Sequence, residues 1–232
     1  LINNTTNQPV SITVSEFPTP QGIRVGRLRI KFDTAPTSGV IQVFQKIENV
    51  ASLGGKQVTL SHSFACDAMI ISSDATQNFG SGGSSNVSTN FSAINTTGIS
   101  STLTRFSSSI TLPSVDGKTI GAGSYTQITY NLPIRTTNIQ TITQVQLEEG
   151  SVATPFEQRP YGLELSLCQR YYEHGFFAVT AGTIGTGGTL ATNIVYKNTK
   201  RTSPTVSYSG VTYTGCSSIS TNLLTVTLVT PM

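Results

Sequence analysis

The sequence predicts an all-β protein: a jelly-roll β-sandwich, a short linking helix and then a small C-terminal β domain. Serine and threonine exceed a quarter of the 232 residues, and threonine and valine suit pleated, half-buried strands. Apolar and polar residues alternate in stretch after stretch. Turn residues separate these stretches at spacings of roughly ten to twenty residues, as in a two-sheet sandwich. The predicted bounds are 1–159 for the sandwich, 160–175 for the helix and 176–232 for the C-terminal domain.

The early strands each show one apolar face. In "RVGRLRIKF", Leu28, Ile30 and Phe32 share a face while Val25 lies on the other, which predicts a β-bulge near Gly26.

A later strand, "KQVTLSHSF", carries one of the two histidines of the chain. Val58, Leu60, His62 and Phe64 fall on one face because side chains alternate along a strand. His62 is therefore expected to be a packed core residue. We interpret Asp74 as an isolated loop residue.

The last strand of the sandwich, "IQTITQVQLEE", is predicted to keep a single apolar face, with Val145 and Leu147 in the core. Glu148 and Glu149 are adjacent and should face opposite sides of the strand. This placement argues against a glycosidase site built from these two carboxylates.

One long polar stretch, residues 78–98, does not resemble a core strand. Loops of this length are usually functional or mobile. One interpretation is a binding or subunit-contact loop with Phe79 and Phe91 as anchors; the other is a surface excursion.

The helix is predicted from Pro160 to a stop at Gly175. A helix apolar over this much of its circumference should be buried on more than one side. We therefore expect three copies to meet at a threefold axis, with Arg170 and Glu173 pairing across chains. The predicted trimer-interface residues are Leu163, Leu167, Arg170, Tyr171 and His174. A second row, Leu165, Cys168 and Tyr172, is expected to pack on the β units of its own chain.

The sequence offers few candidates for catalysis or cofactor binding. Cys66, Cys168 and Cys216 have no metal-binding spacing and are interpreted as free, mostly buried thiols. The net charge is +3, and lysine and arginine cluster only at 24–31 and 197–201, so nucleic acid is not an expected partner. We expect no enzyme activity, no cofactor, no metal and no membrane insertion.

A resemblance adds to this picture. The block "TQVQLEEGSVATPFEQRPYGLELSLCQRYYE" resembles a recurring block of tail-fibre and other virion structural proteins of tailed bacteriophages, which reads Q-[LV]-E-x-G-S-x-A-T-P-F and then L-x-x-C-Q-R-Y-Y. The stretches "IQVFQKIENVASLGGKQVTLS", "QNFGSGGSS" and "TLPSVDGKTIGAG" resemble the same family in the same order. The first half of the block that begins at Thr143 is also similar to the last strand of family 4/9-type carbohydrate-binding modules.

The resemblance implies a non-enzymatic virion component on the particle surface, in a homotrimeric tail fibre or receptor-binding protein. Its expected partners are other virion proteins and a host surface glycan. The alternative is a purely structural virion protein, such as a fibre shaft, collar or capsid decoration, and a polysaccharide hydrolase is a more distant one. Because the chain has no tryptophan, the aromatic candidates for stacking a sugar are Tyr125 and Tyr130 and the C-terminal Tyr196, Tyr208 and Tyr213. The expected glycan contacts are the three C-terminal tyrosines or the 78–98 loop.

Overall fold

The computed structural model describes residues 2–4, 6, 10–18, 24–32, 34, 37, 39–65, 70–95, 103–132, 139–174, 193–194, 196–201, 203 and 227–228. The chain divides into two compact units, Leu1–Glu157 and Gln158–Met232. The first unit holds the sandwich and the second begins just before the helix. The three domains proposed from the sequence stay a prediction.

The first unit is a sandwich of two antiparallel sheets, as predicted. Its strands are β1 (Ile2–Asn4), β2 (Val10–Pro18), β3 (Arg24–Phe32), β4 (Ile41–Glu48), β5 (Gln57–Ala65), β6 (Ile70–Asn78), β7 (Val87–Asn90), β8 (Ile94–Asn95), β9 (Thr104–Thr111), β10 (Tyr125–Leu132) and β11 (Ile139–Glu149). A 3-10 turn, Val50–Ser52, follows β4. One sheet has the order β1-β4-β10-β6-β7, with β8 also on β6, and the other has the order β2-β3-β11-β5-β9.

The core lies between the two sheets and is formed by every second residue of their strands. Burying one such aliphatic or aromatic side chain contributes about 1.5–3 kcal/mol. Its largest fully buried apolar members are Phe64, Phe79, Ile30, Ile41, Leu60, Ile71, Leu112 and Leu132.

The stretch 78–98 is more regular than the sequence predicted. It contains β7 and β8, and both of its phenylalanines are buried, Phe79 at 1% and Phe91 at 5% exposure. The interpretation of Phe79 and Phe91 as anchors of a contact loop is therefore wrong, because both side chains belong to the sandwich itself.

The last strand of the sandwich, β11, contains a β-bulge. Its register against β5 shifts between residues 143 and 146, and Gln144 has a positive φ of 53°. The extra residue changes which face the following side chains occupy. Ile142 before the bulge is buried and Leu147 after it packs against the core, whereas Val145 is 42% exposed. The prediction of Val145 in the core is wrong because Val145 lies in the bulge itself, between the paired residues Thr143 and Gln146.

The bulge expected near Gly26 is absent. β2 and β3 pair without a shift from Val10 opposite Phe32 to Pro18 opposite Arg24. The Gly26 carbonyl instead accepts a hydrogen bond of 2.6 Å from Thr143 Oγ1 of β11. The irregularity therefore lies in the neighbouring strand.

The glycine-rich turn after β6 packs against the backbone that precedes β10. Gly121 N donates to the Phe79 carbonyl at 2.7 Å, and Ser81 N donates to the Ala122 carbonyl at 2.9 Å. A Cβ on Gly121 would lie 1.9 Å from the Ser81 carbonyl oxygen. Only glycine allows the two backbones to approach this closely.

We expect Gly121→Ala to lower the free energy of unfolding by roughly 1–3 kcal/mol, because the added methyl group forces the two backbones apart. Gly26→Ala is the matched control, since a Cβ there would meet no atom within 4 Å. Denaturant titration measures both. Equal midpoints for Gly121→Ala and the wild type would contradict this packing argument.

In the second unit, helix α1 (Tyr161–Gln169) is shorter than the predicted 160–175. Residues 196–201 bind the C-terminal end of this helix. Lys200 Nζ donates to the Gln169 carbonyl, and Arg201 N donates to the Arg170 carbonyl at 3.2 Å. The last carbonyls of a helix need partners outside the helix, and here another part of the chain supplies them. The other described elements of this unit are the short parallel strands β12 (Asn193–Ile194) and β13 (Thr227–Leu228).

The carboxylate of Glu173 is also used within the chain. Lys200 Nζ lies 2.7 Å from Glu173 Oε2, and these two side chains are only 5% and 14% exposed. Burial by itself would raise the pKa of Glu173, but the hydrogen bond and charge of Lys200 and the amide of Lys197 outweigh it and lower that pKa. A carboxylate bound in this way is not placed to pair with Arg170 of another chain, so that prediction needs correction.

Candidate functional site

The outer face of the sheet containing β4, β10, β6 and β7 is polar and accessible. Ile41, Ile128 and Ile71 of these strands point into the core, so the residues between them point outward. The outward residues are Gln42, Phe44, Lys46, Glu48, Ser72, Asp74, Thr76, Asn78, Ser88, Asn90, Tyr125, Gln127, Thr129 and Asn131.

A chain of hydrogen bonds crosses this face and meets at Asp74. Gln42 Nε2 donates to Asn131 Oδ1 at 2.8 Å, and Asn131 Nδ2 donates to Asp74 Oδ1 at 3.2 Å. From the other side, Thr76 Oγ1 donates to Asp74 Oδ2 at 3.0 Å and lies 2.7 Å from Ser88 Oγ. Four strands thus contribute to one network, and their pairing fixes where each side chain stands.

Asp74 is the acceptor of this network and has capacity left over. An ionised carboxylate has about four lone-pair sites, and the two oxygens of Asp74 each accept one bond from the network. The remaining sites can accept hydrogen bonds from the hydroxyl or amide groups of a ligand. The interpretation of Asp74 as an isolated loop residue is wrong, because it lies inside β6.

Aromatic side chains stand on the same face. Phe44 and Asp74 lie on either side of Thr129 in the pairing of the strands, which places them two strand spacings apart, roughly 10 Å. Tyr125 is the first residue of β10, and Lys46 Nζ is 4.2 Å from the centroid of its ring. The face therefore combines fixed polar groups with apolar rings.

Most predicted site residues lie in the second unit. The helix residues Leu163, Leu167 and Tyr171 are exposed by 51%, 42% and 58%, and His174 is exposed as well, while Arg170 is half-buried. These are accessible positions, and the trimer contacts stay a prediction.

The second row of the helix is exposed too. Leu165 and Tyr172 are exposed by 40% and 73%, and Cys168 is an exposed free thiol. The expectation that these three residues pack on the chain's own β units stays a prediction. The expectation of a buried thiol at Cys168 is wrong, whereas Cys66 and Cys216 lie outside the described residues.

Of the predicted glycan contacts, only Tyr196 lies among the described residues; Tyr208 and Tyr213 lie outside them. The Tyr196 hydroxyl is buried, and Lys200 Nζ lies 4.8 Å from its ring centroid. One ring face is thus occupied by a cation.

The motif block that begins in β11 folds back over the outer face of the other sheet. Gln146 Nε2 donates to Thr154 Oγ1 at 3.1 Å, and Gln146 Oε1 accepts from Glu157 N at 2.8 Å. Glu148 accepts from the amide and hydroxyl of Thr154. The hydrogen bonds from Thr154 and then Gln146 lower the pKa of Glu148. These residues therefore hold a backbone segment in place.

His62 is buried, as predicted, with 2% exposure. Its Nδ1 lies 2.9 Å from the hydroxyl of Tyr130, and its ring contacts Phe64 and Phe106. Burial, with a smaller effect of the nearby Arg105 charge, lowers the pKa of His62 to about 4. Burial raises the pKa of Tyr130. Both side chains are therefore neutral at pH 7.

The lowered pKa of His62 predicts an acid-sensitive fold. An unfolded histidine takes up a proton below about pH 6.5, whereas folded His62 does so only near pH 4. The contribution of neutral His62 to the free energy of unfolding is complete above pH 6.5 and is lost as the pH falls from 6.5 to 4. It amounts to about 3 kcal/mol. Denaturant titrations at several pH values, compared with His62→Gln, should show that difference. A difference between the two proteins that does not change over this pH range would contradict the prediction.

Among the described residues, no group of three or more His, Cys, Asp or Glu could hold a metal ion. No described helix is long and apolar enough to span a membrane.

No family model and no curated protein matches the chain. Solved structures with similar architecture include carbohydrate-binding modules and a phage tailspike domain. The enzymatically active domain of tailspike protein 4 from bacteriophage CBA120 has a TM-score of 0.40 and 15% identity, over 64% of this chain and 19% of that one. This chain thus spans about a fifth of that domain.

Two further similar structures are carbohydrate-binding modules. A module of the β-sandwich superfamily has a TM-score of 0.41 and 11% identity, over 64% of this chain and 57% of that one. The second xylan-binding domain of Xyn10C from Paenibacillus barcinonensis has a TM-score of 0.37 and 12% identity, over 64% and 91%. At these values nothing about ligands or activity follows for this chain.

Proposed function

We propose that the first unit is a carbohydrate-binding module, and that the chain is a non-enzymatic component of a phage virion that contacts the host cell surface. The observation that carries the proposal is the hydrogen-bonded face centred on Asp74, with Phe44 two strands away and Tyr125 farther along β10. The sequence resemblance to phage tail-fibre proteins supports the virion role.

The face suits a sugar because a pyranose ring has hydroxyls at its rim and apolar C–H groups on its faces. Asp74 offers free acceptor sites for hydroxyls, and aromatic rings offer an apolar platform next to polar groups. The groups are held in place before binding by their bonds to Asn131 and Thr76. A ligand would therefore lose little affinity to ordering the site.

The use of the acidic residues supports a role without catalysis. Glu148 holds Thr154, and Glu149 Oε1 lies 2.6 Å from Lys56 Nζ. His62 is buried against Tyr130. None of these groups is placed as an acid–base pair on the polar face. A purely structural virion protein is the alternative function, and it requires no ligand on this face.

We expect Asp74→Asn to weaken glycan binding roughly ten- to a hundredfold, because hydrogen bonds to a charged group contribute about 1.5–3 kcal/mol. Tyr125→Ala should also weaken it. Binding of the purified protein to host surface polysaccharide, measured by biolayer interferometry, tests both variants. Thr13→Ala is the control, as this exposed residue lies in β2 of the other sheet. Wild-type protein that binds no host polysaccharide would favour the structural alternative.

We also propose that the chain is a homotrimer, joined by helix α1. Leu163, Leu167 and Tyr171 would face the partner helices, with Arg170 and His174 at the rim. The apolar exposure of the helix supports this, since an isolated helix of nine residues is marginal in water. Burying its leucines between chains would stabilise both the helix and the assembly.

The double variant Leu163→Asp with Leu167→Asp should be monomeric, because it would place six carboxylates at the threefold axis without compensating cations. Light scattering coupled to size exclusion measures the mass. Ser166→Asp, on the same exposed helix, is the control and should remain trimeric. The trimer is excluded if the wild type is a monomer or the double variant keeps the trimer mass.

A further inference from the structure

A row of cationic side chains runs along the outer face of β3, in the sheet that does not contain Asp74. Ile30 is fully buried in the core and Leu28 packs against the core, so the residues on either side of them in β3 point outward. These outward residues are Arg27, Arg29 and Lys31. Successive members are two residues apart, which is roughly 7 Å along a strand. The row therefore presents three positive charges at a regular spacing.

The row concentrates charge in a unit that has no excess of it. Residues 1–157 contain nine lysines and arginines and nine acidic residues. Four of these nine cations lie in β3, Arg24 included, and β3 contains no acidic residue. Like charges this close together repel one another. An anionic ligand along β3 would relieve that repulsion.

The residues beside the row are small, so its long side chains stand above them. Five of the six residues that pair with the row carry a short hydroxyl side chain; the six are Ser15, Thr13 and Ser11 of β2 and Thr143, Thr141 and Ile139 of β11. Lys31 is exposed and the two arginines are half-buried, and Arg27 Nε donates to Ser15 Oγ at 2.9 Å. The row is thus an accessible ridge in polar surroundings.

The chemistry of the ridge favours carboxylates on a sugar chain over a nucleic acid. Arginine offers paired N–H donors in a planar fork that matches the two oxygens of a carboxylate. None of the nine residues of the row and its paired neighbours is aromatic, so nucleic-acid bases would have no ring to stack on there. Cations at a regular spacing also match a polymer whose charge repeats regularly.

We propose that the outer face of β3 binds a carboxylate-bearing polysaccharide that lies along the strand, with its carboxylates paired to Arg27, Arg29 and Lys31. The site goes beyond the function assigned to the Asp74 face, because the two faces belong to different sheets. The choice of a polysaccharide as the polyanion rests on the proposed role at the host cell surface.

The test measures binding of polygalacturonate to the full chain by biolayer interferometry at low ionic strength. We expect binding that weakens at physiological ionic strength, because salt screens exposed charges. Fully methyl-esterified polygalacturonate keeps the sugar backbone without the charge and should not bind. Equal binding of the two polymers would overturn the proposal, as would no binding of polygalacturonate. Single-stranded DNA bound as tightly as polygalacturonate would also overturn it, since the face would then select charge alone.

Two double variants test whether the binding is on β3. Arg29→Gln with Lys31→Gln should weaken it roughly tenfold, as expected for the loss of two accessible ion pairs. Lys56→Gln with Lys118→Gln removes the same charge from two exposed positions elsewhere and should leave binding unchanged. An equal loss in both double variants would reduce the effect to net charge and overturn the assignment.

Asp74→Asn distinguishes this site from the polar face of the other sheet. It should leave polygalacturonate binding unchanged, whatever it does to the binding of a neutral host polysaccharide. Failure of the Asp74 face and failure of the β3 site are therefore told apart. Loss of polygalacturonate binding in Asp74→Asn would place the polymer on the other face and overturn the proposal.

Discussion

The bulge in β11 is the constraint on which the sandwich depends. β11 pairs with β3 on one side and β5 on the other, so its side chains must match two neighbours. The extra residue at Gln144 lets Ile142 and Leu147 both contribute to the core, although they are an odd number of positions apart. It also turns Gln146 and Glu148 outward, where they bind the returning segment. Without it, one half of β11 would present its polar residues to the core.

The returning segment explains why β5 is buried on both faces. Thr59 and Ser61 point away from the core and yet are 1% and 0% exposed. Thr59 donates to the Gly150 carbonyl at 2.7 Å, and Arg105 reaches both Ser61 and the Thr154 carbonyl. The returning segment covers β5 through hydrogen bonds, because the small side chains of Thr59 and Ser61 let its backbone lie close to the strand. Residues 150–154 therefore have a structural role in this chain, which is to cover the outer face of β5.

The sequence predicted the sandwich and the buried His62 because period-two alternation is a local signal that both sheets obey. It did not predict the positions after Gln144, because a bulge depends on two neighbouring strands at once. Asp74 was missed for a related reason. Its partner Asn131, and Gln42 that donates to Asn131, are far away in the chain, and only the pairing of β6, β10 and β4 brings them together. The end of helix α1 at Gln169 was not predicted because the residues that bind its last carbonyls, 196–201, lie far along the chain.

The inward contact of His62 and the outer polar face share one pair of strands. In β10, Tyr130 points inward to His62 and the next residue, Asn131, points outward to Asp74. In β6, Ser73 is buried and Asp74 belongs to the outer face. Ladder hydrogen bonds hold these strands in register, so neither can shift far without the other. The inward contact of His62 and the outer polar face are consequently both fixed by the fold.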